Sequence, residues 1–391
     1  MNAGFKVTAP LFVAVALAAC NSRSSFTLPV GPVQSAMQTH GAVRACPQVV
    51  GQPACSLLIQ SRSGISASVA GWGPATIQAR YHLPSSTKGK GQIVAIVQSF
   101  DNPNVASDLA TYRKQFHLGT STFRKYNQRG QQSGYPQGSP AWGADTDVGV
   151  QMVAAACPKC TIYLIEANSQ YASDLGIAVA EAVALGAHIV STDWQCYGSL
   201  TCFNQSTFDA PGVVYVAGAG NLGYNDNGLP EAFGSVVSVG GTVLFKRGSK
   251  YVEQVWDGSG GGCSSNGGSS GIQKPAWQKD PDCNYRTDAD VSALAWDVAE
   301  YDSYDFNGWM TAGGPAVSTP LIAAVFALAG NASKQDAAKH FWVTKGKGLN
   351  YISSGEDGSC KGEYLCEAGT QQFGNYSGPA GWGTPNGVNA F

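Results

Sequence analysis

Cysteines, glycine turns and carboxylates are the residues whose types and spacing can do chemistry in this chain. Of eleven cysteines, all but Cys20 fall into sequence-local couples: Cys46 and Cys55, Cys157 and Cys160, Cys196 and Cys202, Cys263 and Cys283, Cys360 and Cys366. Close couples in even number are the pattern of short-range disulfides in an oxidising compartment. Spacing by itself leaves the connectivity open. Cys157-Pro158-Lys159-Cys160 also has the spacing of a thiol-redox motif. Such a motif lowers its first thiol's pKa by placing it at a helix N-terminus. Here the pattern puts a helix before the motif and a strand after it, so the dipole has the wrong sign and a structural disulfide is expected. Gly218-Ala219-Gly220-Asn221-Leu222-Gly223 satisfies the dinucleotide-binding spacing and follows a strand. A phosphate cradle needs that turn to open into a helix, whereas Tyr224-Asn225-Asp226-Asn227-Gly228-Leu229-Pro230 is loop chemistry. No nucleotide cofactor is expected. His82, His117, His188 and His340 are scattered outside any glycine-flanked motif and read as structural; His40 precedes the first regular strand.

The elements around these groups alternate. Gln92–Gln98, Thr161–Ile165, His188–Ser191, Val213–Ala217 and Val236–Val239 read as short buried strands. Helical patterns run over Ala106–Phe116 and from a cap at Ser173 through Ala187. A late helix, about Val317–Leu328, is apolar nearly all round and should be buried. A Gly/Ser-rich loop spans Asp257–Gly271. Short apolar strands alternating with helices predict an α/β fold, three αβα layers around a mostly parallel sheet.

The N-terminus speaks to the compartment. Lys6 precedes an apolar run from Val7 to Ala19, which has signal-peptide form and is too short for a mature spanning helix. It ends in Leu17-Ala18-Ala19-Cys20, similar to a bacterial lipobox in which Cys20 becomes the lipidated first residue. The alternative is an ordinary signal peptide cut near Ala19, with Cys20 a bystander. The expected organisation is residues 1–19 signal peptide, 20–70 lipidated tether with a small disulfide loop, and 71–391 the main domain. The protein is then exported to the cell envelope, meeting the membrane only through its lipid. A chain of 391 residues holds a large core, its 13% charged residues and 49 glycines suit a loop-rich extracellular fold, and a net charge of -2 gives nucleic acid no electrostatic footing.

Five segments together resemble the sedolisin (serine-carboxyl peptidase) family, bacterial type. They are Val94–Asn104 leading into Ser107-Asp108-Leu109; Gln151–Cys160 leading into Leu164–Ala167; and Leu229-Pro230-Glu231-Ala232 through Val239–Thr242. The others are Asp290–Ala293 with Tyr301–Tyr304 and Ser318-Thr319-Pro320, and Gly381–Gly387. They follow the family's order over roughly residues 71–391, and the resemblance implies a subtilisin-like fold. The family's long N-terminal prosegment is not expected, since only a short tether precedes.

The family uses a serine nucleophile, a glutamate base, an aspartate one helical turn on that orients the base, and an oxyanion aspartate. Carried over, the base position is Asp145, one methylene shorter, and its partner position is Gly149, without a carboxyl. An i, i+4 spacing keeps both on one helix face. The oxyanion position is Asn221, whose amide can still donate. The nucleophile position, in Gly314-Pro315-Ala316 four residues before Pro320, is Ala316. A methyl group cannot attack a carbonyl. Ser318 is rotated by roughly 200° from it in a helix, and Thr311 lies upstream of the turn. Asp193, with Asp145 and Asp147, can form an acidic cluster or cation site, against the commoner hydrogen-bonded carboxylates. The family's calcium carboxylates fall at Tyr351 and Ser377, so calcium and other cofactors are not expected. The reading is a peptidase-like protein with a degenerate site that keeps a groove for a peptide or protein ligand. The alternatives are an active acid serine-type endopeptidase with a non-standard nucleophile, and an envelope structural protein.

Overall fold

Three short strands, β1 (Ala42–Arg44), β2 (Pro53–Cys55) and β3 (Leu58–Gln60), come first in the computed structural model. It describes residues 42–60, 69–265, 270–306, 308–334, 336–360 and 362–391, with Met1 and Gly4. Apart from Met1 and Gly4, the expected signal peptide lies outside the described residues, as do the lipidation site Cys20 and His40. The body then runs α1 (Pro74–Arg80), β4 (Ile93–Ser99), α2 (Val105–Gln115), β5 (Phe123–Asn127), α3 (Pro140–Ala156), β6 (Thr161–Ala167) and α4 (Ala172–Ala184). Next come β7 (Ile189–Thr192), β8 (Trp194–Tyr197), β9 (Val214–Gly218), β10 (Gly228–Leu229), β11 (Val236–Arg247), β12 (Lys250–Val255), β13 (Gly262–Cys263) and β14 (Thr287–Asp288). The chain closes with β15 (Val291–Leu294), β16 (Val298–Asp302), β17 (Gly308–Gly313), α5 (Pro315–Ala329), α6 (Ala337–Thr344), β18 (Leu349–Asn350) and β19 (Thr384–Pro385).

The main sheet has the order β12-β11-β9-β7-β4-β6-β5, with β15 also paired to β11. Every pairing in it is parallel except β11 with β12. Side chains alternate across a strand, so β4 feeds two cores. Val94 and Ile96 pack with Val148 and Met152 of α3 and Leu321 and Ile322 of α5. Ala95 and Val97 face Leu175, Ala178 and Val179 of α4. Both faces are covered, which is why the strand reads as one unbroken apolar run. The expected α/β layering is what the chain adopts. Helix α5, buried from Pro315 to Leu328, starts with proline in its first turn and ends at Gly330 in the left-handed region.

Two boundaries differ from expectation. Helix α4 begins at Ala172 with Tyr171 at its cap, so Ser173 lies inside the first turn. The entering loop is tied instead by Ser169, which donates to Asp174 and accepts the Tyr171 N–H. Strand β11 runs on to Arg247 by changing partners, from β9 to β15 to β12. Gly240-Gly241 breaks the apolar pattern there because a Cβ on Gly240 would sit 2.0 Å from the Pro379 carbonyl oxygen.

All five expected cysteine couples are joined as disulfides. Cys46 is bonded to Cys55 in the first loop, and Cys157 to Cys160 between α3 and β6. Cys196, in β8, is bonded to Cys202 in the loop that follows it. Cys263, in β13, is bonded to Cys283, and Cys360 to Cys366 near the C-terminus. The stretch read as a tether with a pinned loop is, over residues 42–60, built into the body. Strand β3 joins β1 on one edge and β17 on the other, and β2 pairs with β8.

Candidate active-site cleft

Ligands of open parallel sheets bind beyond the carboxyl ends of the strands, and the groups singled out by sequence gather there. Gln98 sits near the end of β4, Asp193 follows β7 and Asn221 lies just past β9. Asp145 faces them from the first half of α3, and Ala316 lies in the first turn of α5.

Asp145 and Asp193 are both fully buried. The Gln98 amide joins them, its Nε2 donating to Asp145 Oδ2 and to Asp193 Oδ1, each at 2.6 Å. Burial pushes both carboxyls up. Asp193, also facing the Asp145 charge, is held well above the usual carboxylate range. The N–H groups of Ser56 and Leu57 oppose that shift at Asp145. The pair therefore retains a proton where ordinary carboxyls are ionised.

Gly149, one turn along α3, brings no carboxyl, yet its side of the helix is occupied. A Cβ built there would lie 3.1 Å from Asp193 Oδ2 and 3.3 Å from Ile96 Cγ2. Asp193 thus fills the space into which a residue 149 side chain would point. Asp147 points elsewhere: its Oδ2 accepts the Asn102 amide at 2.6 Å, in a second group of buried acids with Asp302 and Asp108. Among the described residues no three His, Cys, Asp or Glu side chains are grouped to hold a metal ion.

Asn221 is 2% exposed. Its Oδ1 accepts from Arg44 Nη1 at 2.5 Å and Gln48 Nε2 at 3.0 Å. Two donors on that oxygen fix the amide so that Nδ2 points the other way, donating to the Ser56 carbonyl oxygen at 3.1 Å. The backbone is held by Asp226, whose Oδ2 accepts the Asn221 and Leu222 N–H groups at 2.7 and 2.9 Å.

Ala316 is fully buried. Close approach sets where α5 starts: a Cβ on Gly218 would lie 2.2 Å from Pro315 Cβ. Gly314, at φ 90°, has the Ser56 carbonyl oxygen 2.4 Å from where its Cβ would be, so glycine is required for both conformation and space. Neither nearby hydroxyl meets the carboxyl pair. Ser318 Oγ is buried without a hydrogen-bond partner, and Thr311 Oγ1 donates to Gln60 Oε1 at 3.0 Å.

The remaining positions lie apart. Tyr351 Oη accepts from Gln371 Nε2 at 2.7 Å, and Ser377 is buried with its backbone N–H on the Gly381 carbonyl. His82 bonds Asn386 and His188 the Gly212 carbonyl, both outside the cleft. The glycine turn after β9 opens into loop.

The cleft therefore offers a carbonyl-polarising amide and a proton-holding carboxyl pair, with no hydroxyl or thiol bonded to that pair among the described residues. Gln98 as a link and Asp193 as neighbour of Gly149 were not assigned from sequence. Both follow from strand order: β4 and β7 are adjacent, Ala95 opposite Val190 and Ile96 opposite Ser191, so their ends emerge side by side.

Solved structures share the fold that carries this cleft. Pseudomonas sedolisin, a serine-carboxyl proteinase solved with two molecules of pseudo-iodotyrostatin, superposes with a TM-score of 0.67 at 20% identity, covering 82% of this chain and 96% of that one. The fold is subtilisin-like. Two further proteases agree: the S41 psychrophilic protease, TM-score 0.52 at 16% identity, and sphericase, 0.51 at 17%, each covering 82% of this chain and 99% of theirs. No protein-family model matches the chain, and no curated protein does. No helix among the described residues is long and apolar enough to cross a membrane. Five disulfides are consistent with an exported protein.

Proposed function

We propose that the chain is an exported, sedolisin-like pseudopeptidase: a peptidase fold that binds polypeptide in its cleft without turning it over. The observation that carries this reading is Ala316, a buried methyl in the first turn of α5 where the family resemblance asks for the serine. Asp145 stands at the base position and Asn221 at the oxyanion position. The carboxyl absent at Gly149 has its place taken by Asp193. Loss of the nucleophile alone lowers kcat by about 10⁶ in subtilisin, where binding and oxyanion donors leave roughly 10³–10⁴ over water. The same limit is expected here. No metal cofactor takes part, the ligand is a peptide or protein, and the anchor is a lipid on Cys20.

A second reading, an acid peptidase with a non-standard nucleophile, is favoured by the protonated Asp145–Asp193 pair beside the Ser56–Leu57 peptide unit. The test is cleavage of a peptide library, and of the chain itself by intact mass, between pH 3 and 7. The unmodified chain should stay intact and leave the library uncut. Ala316→Ser should raise hydrolysis at least about 10²-fold, a fraction of what a nucleophile contributes, first at Ser56–Leu57, whose carbonyl Asn221 holds. Robust turnover by the unmodified chain sinks the first reading and favours the second.

A further inference from the structure

The cleft is not empty. Residues Pro53–Gln60 cross it as an extended strap that adds to a sheet edge on each side of its midpoint. Before the midpoint, β2 lies antiparallel to β8, with Pro53 opposite Cys196, Ala54 opposite Gln195 and Cys55 opposite Trp194. After it, β3 lies antiparallel to β17, with Leu58 opposite Gly313 and Ile59 opposite Ala312. Strand addition to exposed edges is a general way for a protein to hold an extended peptide, with main-chain bonds giving affinity and side-chain pockets giving selection. The pocket here is Leu58's, 1% exposed and packed with Trp256 and Ala295.

At the midpoint is the Ser56–Leu57 peptide unit. Its carbonyl oxygen accepts from Asn221 Nδ2 at 3.1 Å, a preorganised donor of the kind that polarises a scissile carbonyl. The N–H groups of Ser56 and Leu57 favour the ionised form of Asp145, against the larger upward push of burial. Upstream, the Cys46–Cys55 disulfide closes the loop between β1 and β2, and Arg44 at the end of β1 and Gln48 in that loop fix the Asn221 amide. The segment that leads into the strap thus sets the orientation of the donor that holds it.

We propose that the cleft between β8 and β17 is a site for an extended polypeptide segment, that its resident ligand is the chain's own residues 53–60 seated in substrate register, and that it takes up an external polypeptide only when this strap lifts. This deepens the pseudopeptidase reading by naming the cleft's occupant, and it holds whether or not turnover is lost. A tethered occupant acts at an effective concentration of about millimolar. Apparent affinity for an outside peptide is therefore reduced by the fraction of time the cleft is open.

The test uses the full chain with disulfides intact and a fluorescent peptide of residues 52–60 carrying serine at the Cys55 position. Leu58→Asp puts a charge into the Trp256 pocket and should lift the strap. Uptake should then tighten at least about tenfold over the unmodified chain, by the open-fraction argument. Hydrogen exchange should show amides of 54–60 protected in the unmodified chain and released in the variant, with β4 and β9 protected in both. If Leu58→Asp leaves β4 and β9 unprotected or fails to release 53–60, Cys46→Ser with Cys55→Ser is read the same way. Equal uptake by the unmodified chain and a strap-released variant overturns the proposal, as does rapid exchange of 53–60 in the unmodified chain. Failure of the pseudopeptidase reading shows differently, as cleavage of the labelled peptide.

Discussion

Replacing Asp226 by asparagine isolates one titration that shapes the stability of the cleft. Asp226 is 6% exposed, and its Oδ2 binds the two N–H groups that shape the turn carrying Asn221. Burial outweighs those bonds and the Arg44 charge, pushing the carboxyl from 3.8 up to about 6. A folded-state pKa above the unfolded one means that the folded chain keeps the proton longer. Stability is then fully present below about pH 4 and falls as pH rises through about 6. Two units at about 1.4 kcal/mol each make the loss about 3 kcal/mol. Asparagine cannot ionise, and any packing effect of its amide is the same at every pH. The stability of Asp226→Asn relative to the unmodified chain should thus improve by about 3 kcal/mol between pH 3.5 and pH 7. Urea unfolding at pH 3.5, 5 and 7, with disulfides intact and m unchanged, measures this. A difference that does not vary with pH, or one moving the other way, refutes the reasoning. The unmodified chain should itself lose stability over this range. Asp288 is pushed by burial up to about 6, and Glu231, Glu300 and Asp357 well above the carboxylate range.

Two further outcomes are expected. A chelator should leave the melting temperature unchanged to within about 1 °C, because a metal held by the native state alone would stabilise it by mass action; a fall of several degrees would restore a structural cation. Gly149→Ala should destabilise by about 1–2 kcal/mol, overpacking against Asp193 and Ile96 outweighing the helix propensity gained. In an Asp193→Ser background it should become neutral or stabilising by up to about 1 kcal/mol, and a double-mutant cycle reads the coupling.

The layered fold was legible because its central strands are buried on both faces. Val94–Val97 is a continuous apolar run and Val214–Ala217 another, with nothing to confuse their period, and α5 is apolar nearly all round because it lies between sheet and α3. The second half of β11 was hidden by Gly240-Gly241, which answers to a backbone 139 residues away rather than to strand propensity. Strands β1 to β3 are three residues each, too short to show a period, and β3 pairs with β17, far along the chain. Asp145 and Asn221 were singled out from sequence, but the contacts they make depend on neighbours that sequence separates. The Gln98 amide lies 47 residues from Asp145 and 95 from Asp193, and Ser56 lies 165 from Asn221.

On the proposed reading, the departures from a serine peptidase are coupled physically. Two buried carboxyls side by side are unfavourable unless they share a proton and accept hydrogen bonds. Gln98 supplies bonds to both, and the Ser56 and Leu57 N–H groups of the strap favour an ionised Asp145 that is fully buried. Asp193 in turn takes the space that a side chain at residue 149 would need, so a carboxyl there and Asp193 are alternatives. The strap places the Ser56 carbonyl against the Asn221 amide, which the proposed reading makes an oxyanion donor and the place where a competent nucleophile would cut. On the proposed reading, a methyl at Ala316 is what lets that bond persist, and a persistent strap is what keeps the carboxyl pair dry. Returning a serine to residue 316 should therefore disturb more than catalysis. The cut it permits at Ser56–Leu57 would free β3 from β2, hydrate Asp145 and draw its carboxyl back towards the ordinary range, making loss of the strap self-reinforcing.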